Sequence, residues 1–541
     1  MARTRLTKTR ICSALTGAML ATSAMVPISA QAEQSVPLNN PPTRLATFET
    51  ANVNPQGTLQ LYVGQMQTDP NKGGGTGNQT YFGGGSYAVT DRLTFGASVS
   101  SYQDPPFRNI NGLKQDFVIN DVALWGKYQF ANGERLSAAA QVSVENFLRL
   151  EYLGGRQDRV WAGSVKLPVT YKATDALQLH FTPAVSFLPE TTTNSGAFYG
   201  TVVTVGAGAS YKASERFTLY GSVDVPVSGG NTISSTGQFV SVPLWVAGGR
   251  YNLTPRLALD GFVTNGVGMT PATSMWTHWP GGNDPLVGIQ ATWTPRPGDT
   301  SSYRGPIAPV SARQASLQNS GLTMIGADTY EPGSVTVGGY WGTGDAYGAT
   351  LSFAPDRDLQ LDFVLENYSN DGSVPGNLRP TDKPRYMFGP KIRLLDQNNG
   401  DAFSLSGRLL FGRQIEKNAA GLGVFHLEAA AGYQVNDKLS VTVSPKIAAF
   451  GGTEVAGLGV GANFELFEGF DLIAEATAVG LDATDPTWAA GVRYGIGDSG
   501  FAVDASASNA IGRNGIGTLI AQDEIKFSLN VTKTFNLSGW R

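Results

Sequence analysis

The sequence predicts an all-β protein: an antiparallel transmembrane β-barrel of about 24 strands in two tandem 12-strand repeats. The clearest strand, Leu177 to Phe187, places apolar residues on one face and mainly polar residues on the other. Its length suits a tilted strand that crosses a bilayer. An aromatic residue, a tight polar turn and an alternating strand recur about every 41 residues in the first half. This spacing corresponds to one hairpin pair per repeat.

The second half of the chain repeats landmarks of the first half at matching intervals. The matched segments are Tyr171 to Pro183 with Tyr433 to Pro445, Leu257 to Asp260 plus Asn265 and Gly268 with Phe501 to Asp504 plus Asn509 and Gly512, and Tyr87, Leu93 and Tyr102 with Phe353, Leu359 and Tyr368. Any one match could arise by chance among amphipathic strands, but three collinear matches favour a tandem duplication.

The chain divides into five regions: a signal peptide (1–32), an extended lead-in (33–57), a first barrel repeat (58–295), a Pro/Gly/Ser-rich linker (296–333) and a second barrel repeat (334–541). The signal has a basic start, an apolar core from Ala14 to Met25 and a small-residue cleavage site at Ala30 to Ala32. The lead-in is too short for a plug domain. We therefore expect export, cleavage after Ala32 and an outer-membrane location.

Charge and cysteine content narrow the function classes. The formal net charge is −4, and removing four basic residues with the signal leaves about −8, which does not suggest a nucleic-acid partner. The only cysteine, Cys12, lies in the predicted signal, so the exported chain would have neither disulfides nor a catalytic thiol.

About twelve strands fit the first repeat, near 58–67, 78–89, 93–102, 116–130, 136–149, 159–172, 177–188, 199–212, 217–228, 238–252, 257–265 and 284–294. About twelve more fit between Ser334 and Phe535. The pattern leaves open whether they close as one barrel of 24 strands or as two barrels of 12. Large single-chain barrels are better precedented, so a single barrel is favoured, although the linker is longer than one turn requires.

Strand phase predicts an apolar outer face and a polar lumen. We expect these charged residues to line the lumen: Glu145, Arg149, Lys166, Lys172, Lys212, Asp224, Arg250, Asp260, Arg408, Lys446, Arg493 and Asp504. An aromatic girdle beside the short turns, on the periplasmic side, is expected from Tyr87, Tyr171, Tyr211, Tyr251, Phe353, Tyr433, Phe464 and Tyr494. Both signs of charge are mixed in the lumen, so strong ion selectivity does not follow.

One contact is predicted twice. Pairing Tyr251 with Leu257 across the tight turn would make Arg250 and Asp260 diagonal neighbours on the inward face. The corresponding strands of the second repeat place Arg493 against Asp504.

The closing segment, Phe527 to Phe535, alternates and ends on an aromatic residue. In this, and in its strand pattern, the chain resembles Gram-negative outer-membrane β-barrels, and porins in the broad sense, but no specific family. The resemblance implies a lipid bilayer around the barrel, the barrel-assembly machinery during insertion and no cofactor. The chain departs from the pattern in continuing to Arg541, with Trp540 penultimate.

Residues suited to catalysis are scarce. The three histidines are far apart and lack ligand spacing, and no nucleophile motif is present, so we expect no enzyme activity and no metal site. A cluster in a long first-half loop, Met275, Trp276, His278 and Trp279, could fold inward as a constriction or pack on itself at an exposed tip.

These features favour an outer-membrane channel for passive diffusion of small hydrophilic solutes or ions. The alternative is a non-conducting barrel with a structural role or a loop-mediated role in adhesion.

Overall fold

The computed structural model describes residues 41–67, 79–102, 109–114, 117–152, 155–192, 196–295, 303, 321–369, 371–375, 378, 384–414, 423–450 and 453–537. The predicted signal peptide, most of the predicted linker and Trp540 lie outside the described residues.

Barrel 1 is a closed antiparallel sheet of twelve strands. Its strands are β1 Leu59–Gln67, β2 Gln79–Ala88, β3 Leu93–Tyr102, β4 Val118–Asn132, β5 Leu136–Tyr152, β6 Val160–Lys166 with Val169–Lys172, β7 Leu177–Phe187, β8 Thr201–Lys212, β9 Phe217–Ser228, β10 Leu244–Asn252, β11 Leu257–Thr264 and β12 Leu286–Trp293. Strand β6 is interrupted at Leu167 and Pro168, where the proline supplies no N–H for the ladder. Strand β10 begins six residues later than expected, because Phe239–Val240 forms a small hairpin with Thr232–Ile233 instead.

Barrel 2 is a second closed antiparallel sheet of twelve strands. Its strands are β13 Ser334–Gly342, β14 Tyr347–Asp356, β15 Leu359–Asn367, β16 Arg385–Leu395, β17 Ser404–Gln414, β18 Gly423–Asn436, β19 Leu439–Phe450, β20 Thr453–Phe467, β21 Phe470–Leu481, β22 Thr487–Gly495, β23 Phe501–Ala510 and β24 Ala521–Asn536.

The preference for a single 24-stranded barrel is wrong, and the two-barrel alternative is confirmed. Strand β12 pairs with β1, and β24 pairs with β13, so each repeat closes on itself. A single barrel would need β12 to pair with β13, and that edge is already occupied in both sheets.

Both barrels turn apolar side chains outward and polar side chains inward. On β9, for example, Val223 and Val225 are exposed, whereas Ser222 is buried in the lumen. Closed antiparallel sheets with an apolar outer face are the architecture of outer-membrane β-barrels. Within the described part of the chain, no helix is long and apolar enough to span a membrane.

The two repeats share hydrogen bonds as well as sequence landmarks. The side-chain oxygen of Asn265 accepts from the Trp245 amide at 2.8 Å, and its amide group donates to the Pro243 carbonyl. Asn509 makes the same two bonds with Trp488 and Pro486. Identical capping of the strand before the final loop supports the duplication.

The outer walls of the two barrels touch. Leu257 and Leu259 of barrel 1 pack with Leu359 and Ile392 of barrel 2, which buries outward-facing side chains that would otherwise meet lipid. Farther along the wall, Tyr81 and Phe411 lie with ring centroids 5.3 Å apart. Arg256 and Asp356 form an ion pair across the boundary at the short-turn end, with nitrogen and oxygen 3.3 Å apart.

Candidate functional site: two filled lumens

Residues 41–54, here called inner segment 1, lie inside barrel 1 near its short-turn end. The segment forms a small hairpin, Arg44–Leu45 with Phe48–Glu49. Its apolar side chains Leu45 and Phe48 join a buried cluster with wall residues such as Phe82 and Phe262. Part of the predicted lead-in therefore fills the lumen, although its prolines and its short length predicted only an extended segment without a plug.

Inner segment 1 is also held by polar contacts to the wall. The Lys127 ammonium lies 2.6 Å from the Glu49 carboxylate and donates to the Thr43 and Thr50 carbonyls. The Ala51 amide donates to the Thr170 hydroxyl at 3.0 Å. These bonds satisfy backbone groups that a lumen segment would otherwise leave unpaired.

The β11–β12 connection, residues 265–285, is here called outer loop 1 and folds into the long-loop end of barrel 1. Trp276 and Trp279 are each 1% exposed. Trp276 stacks on Phe147, and the Trp279 indole N–H donates to the Tyr199 hydroxyl. The cluster therefore lies inward against the wall, and its role as a constriction stays a prediction.

Two wall carboxylates hold outer loop 1 from below. The Thr270 hydroxyl contacts both Asp121 and Glu145, and the Ala272 amide donates to Glu145. Because buried carboxylates need donors, a loop rich in hydroxyls and free amides fits this position.

Barrel 2 is filled in the same manner. Residues 321–330, here called inner segment 2, precede β13 and lie in its lumen. The Leu322 and Thr323 amides donate to the two carboxylate oxygens of Glu475 at 2.7 Å, and the Ile325 amide donates to Glu428. Across the lumen, the Ser406 hydroxyl donates to the Gly326 carbonyl.

The β23–β24 connection, residues 511–520 and here called outer loop 2, closes the long-loop end of barrel 2. Its apolar residues Ile511, Ile516, Leu519 and Ile520 are buried against inward-facing wall residues. Glu366 accepts from the backbone amides of Arg513 and Asn514. A wall carboxylate therefore holds the final loop in both barrels.

One buried lysine in each barrel lies between the inner segment and the outer loop, which are together called the fillings of that barrel. Lys166 donates to the Ser274 hydroxyl of outer loop 1 at 2.7 Å. Lys446 donates to the Thr323 carbonyl of inner segment 2 and to the Thr518 hydroxyl of outer loop 2, at 2.7 and 3.3 Å. By the matched interval Tyr171 to Pro183 with Tyr433 to Pro445, Ala184 corresponds to Lys446. Lys166 pairs with Ala184, so the two lysines lie in the same layer of the wall but on adjacent strands.

The predicted Arg–Asp contacts form, but with a different register. Arg250 lies directly opposite Asp260, and its Nε donates to the carboxylate at 3.0 Å. The predicted diagonal arrangement was wrong because the turn is centred one residue later than expected. In this turn the Leu253 amide donates to the Leu257 carbonyl, and the Thr254 hydroxyl accepts from two turn amides. Both charges are buried rather than bathed in water.

The equivalent pair in barrel 2 is shared. Arg493 lies opposite Asp504, but its guanidinium is 3.7 Å from the carboxylate and also donates to the Gly321 carbonyl of inner segment 2. Arg513 of outer loop 2 takes the closer position, 2.6 Å from Asp504.

The twelve predicted lumen residues differ in how deeply they are buried. Glu145, Lys166, Arg250, Asp260, Arg408, Lys446, Arg493 and Asp504 are buried inside the barrels. Asp224 and Lys212 are only partly buried. Arg149 pairs with Glu151 near the long-loop rim. Lys172 pairs with Asp175 at a short turn, where its hydrogen bond and charge lower the pKa of Asp175.

The predicted girdle residues all lie beside the short turns. Tyr171, Tyr211, Tyr251, Tyr433, Phe464 and Tyr494 are exposed on the outer face, and Tyr87 and Phe353 are half-buried. Their contact with a membrane interface stays a prediction.

Sequence reasoning missed the inner segments. A signal was present: Leu45, Phe48 and Pro55 recur as Leu322, Ile325 and Pro332 at a constant offset. These matches precede the first strand of each repeat, where the chain lacks strand periodicity. Strand phase can place wall residues such as Lys127 and Glu475 on the inward face, but it does not show that they hold a segment inside the lumen.

Among the described residues, no group of histidine, cysteine or carboxylate side chains is arranged to hold a metal ion. His180 bonds to the Thr170 and Ser210 hydroxyls, and His426 is fully buried beside Glu428.

No family model and no curated protein matches the chain. Among solved structures, the KdgM porin and the NanC porin each align at 10% identity with a TM-score of 0.29, over 43% of this chain and 98% of theirs. The siderophore receptor PirA from Pseudomonas aeruginosa aligns at 9% identity with a TM-score of 0.25, over 89% of this chain and 81% of that chain. Similarities this low assign neither a family nor a function.

Proposed function

We propose that the chain is an outer-membrane channel in which two barrels pass small hydrophilic solutes passively once their fillings move aside. The observation that carries this proposal is the polarity of the inner wall. Beneath the fillings it remains polar and charged in both barrels, from Lys127 and Gln141 in barrel 1 to Arg408 and Glu475 in barrel 2. A wall built only to enclose a permanent core would favour apolar side chains.

The described conformation is closed. Inner segments and outer loops occupy opposite ends of each lumen, so a solute path through a barrel requires both its inner segment and its outer loop to move. At the short-turn end of barrel 1 a cavity of about 350 Å³ remains, lined by residues including Asn52, Gln129, Thr170 and Gln178. It gives solutes a hydrophilic entrance beside inner segment 1.

A non-conducting barrel pair is the second candidate. It is favoured by the apolar clusters under the two outer loops, which include Trp276 and Trp279 in barrel 1 and Ile516 and Leu519 in barrel 2. Such packing stabilises closed ends, as expected for a protein that presents its loops to partners.

Bilayer conductance of the refolded chain without residues 1–32 tests the proposal. Glu475→Ala removes the acceptor of two amides of inner segment 2, so this variant should open more often than wild type. In barrel 1, Ala51→Cys with Thr170→Cys joins positions whose atoms already hydrogen-bond. The oxidised variant should conduct less than its reduced form. If wild type and both variants carry no current, the channel proposal fails and the non-conducting barrel is favoured.

A further inference from the structure

A group of cations lies under outer loop 2, in the long-loop half of barrel 2. Lys526 on β24 and Arg385 on β16 both point into the lumen and are at most 2% exposed. Arg513 comes from the loop itself. All three interact electrostatically with Glu366 on β15, which lies directly opposite Arg385.

The carboxylate of Glu366 is already occupied. It accepts from the Tyr340 hydroxyl and from the Arg513 and Asn514 amides. Among the residues that the structure describes, the Lys526 ammonium has no hydrogen-bond partner and no carboxylate within ion-pair distance. A buried ammonium without a partner is expensive, because desolvation is not repaid by a close negative charge.

The charge of Lys526 is the least compensated of the three. Asp504, which Arg493 also approaches at 3.7 Å, lies 2.6 Å from Arg513. Arg385 lies directly opposite Glu366 and is further supported by the ring of Tyr368, with its guanidinium carbon 4.7 Å from the ring centroid. Lys526 is attracted to Glu366 without forming an ion pair with it.

The fold itself does not require these cations. By register, with Tyr87 equivalent to Phe353, Glu366 corresponds to Ser100 and Arg385 to Asp121. Counting along the closing strands places Lys526 at the position of Leu286, a fully buried apolar residue of barrel 1. Barrel 1 closes its final loop over the same positions with serine, aspartate and leucine.

We propose that Lys526, Arg385 and Arg513 form a binding site for a small oxyanion, a phosphate or carboxylate group, inside barrel 2. Guanidinium groups suit the paired oxygens of such anions, and the ammonium adds a point charge. The site lies beyond the proposed channel function, because binding does not need solute passage.

Calorimetric titration of the refolded chain with inorganic phosphate, and separately with acetate, at constant ionic strength tests the site. We expect saturable binding of at least one of the two anions, and their relative affinities identify the preferred group. Lys526→Met should weaken binding about tenfold or more. Lys533→Met is the matched control, because Lys533 lies on the same strand but over the outward-facing rings of Phe501 and Phe535.

Folding of each variant is checked by heat-modifiable migration in gels. If Lys526→Met does not fold, Arg513→Gln in the loop replaces it and should also weaken binding. The proposal is overturned if wild type binds neither anion at millimolar concentration, or if the folded lumen variant binds as tightly as Lys533→Met. Because no current is measured, failure of the channel proposal leaves this result unaffected.

Discussion

The two barrels share one frame but carry opposite charge under their final loops. Barrel 1 holds outer loop 1 with the carboxylates Asp121 and Glu145, whereas barrel 2 surrounds Glu366 with Lys526 and Arg385. Strand number, closure and loop capping are the same in both. The difference shows that closure of the lumen depends on the frame, while the charge beneath each loop is free to vary.

The largest difference in stability between the barrels is expected when the buried lysine between the two fillings is removed. Lys446 lies 3.5 Å from Glu428 and bonds to both fillings, so Lys446→Met leaves a buried carboxylate with fewer partners. We expect the free energy of unfolding to fall by about 3–5 kcal/mol. Lys166 has no carboxylate within ion-pair distance in the described part of the chain, and Lys166→Met should cost about 1–3 kcal/mol. Urea unfolding in lipid vesicles measures both, and equal losses would contradict the different roles given to the two lysines.

Arginine substitutions on the outer wall should destabilise both barrels to the same extent. Val223 and Val443 are exposed midway along β9 and β19. Val223→Arg and Val443→Arg should each cost about 2–4 kcal/mol if both walls face lipid near the midplane. Leu136→Arg, at the short-turn end, is the control and should cost about 1 kcal/mol or less. A low cost in only one barrel would mean that this barrel is not embedded in the bilayer at that depth.

Removing the aspartate charge of each Arg–Asp pair should change the ion preference of the proposed channel to a different degree in each barrel. Asp260→Asn releases only Arg250, whereas Asp504→Asn weakens the hold on both Arg493 and Arg513. Asp504→Asn should therefore shift the reversal potential farther toward anion preference, most visibly at low salt. Each variant should lose about 1–2 kcal/mol of unfolding free energy. Identical reversal potentials in wild type and both variants would show that these charges do not shape the path.

The smallest effect is expected in the short turns. The hydroxyls of Thr90, Thr174, Ser214 and Thr254 each accept from two turn amides in barrel 1, and Asn436 does so with its side-chain oxygen in barrel 2. Thr174→Ala and Asn436→Ala should each cost about 0.5–1.5 kcal/mol. Thermal unfolding measures the loss, and Thr174→Ser is the control that keeps the acceptor.

Strand phase and repeat spacing could be read from the sequence because both depend on local alternation, and the duplication could be read because its landmarks recur at matching intervals. Twelve strands per repeat and the inward position of Asp260 follow from a period of two. Closure did not follow, because the alternating pattern of β12 does not reveal whether its free edge meets β1 or β13. The register of Arg250 was missed because a turn hydroxyl shifts the centre of the hairpin. The inner segments were missed because lumen-filling chain lacks strand periodicity.

Because the two barrels touch, an outward-facing residue does not always face lipid. Gln65 lies on the outer face of β1, in register with Ile289, yet it is only 4% exposed. An amide there would be costly in hydrocarbon, but this part of the wall is covered by protein. The closing edge of barrel 1, where β12 meets β1, adjoins the covered zone, as the partly buried Trp293 shows. Along that strip, substitutions should therefore follow the packing rules of a protein interior and not those of a lipid-facing wall.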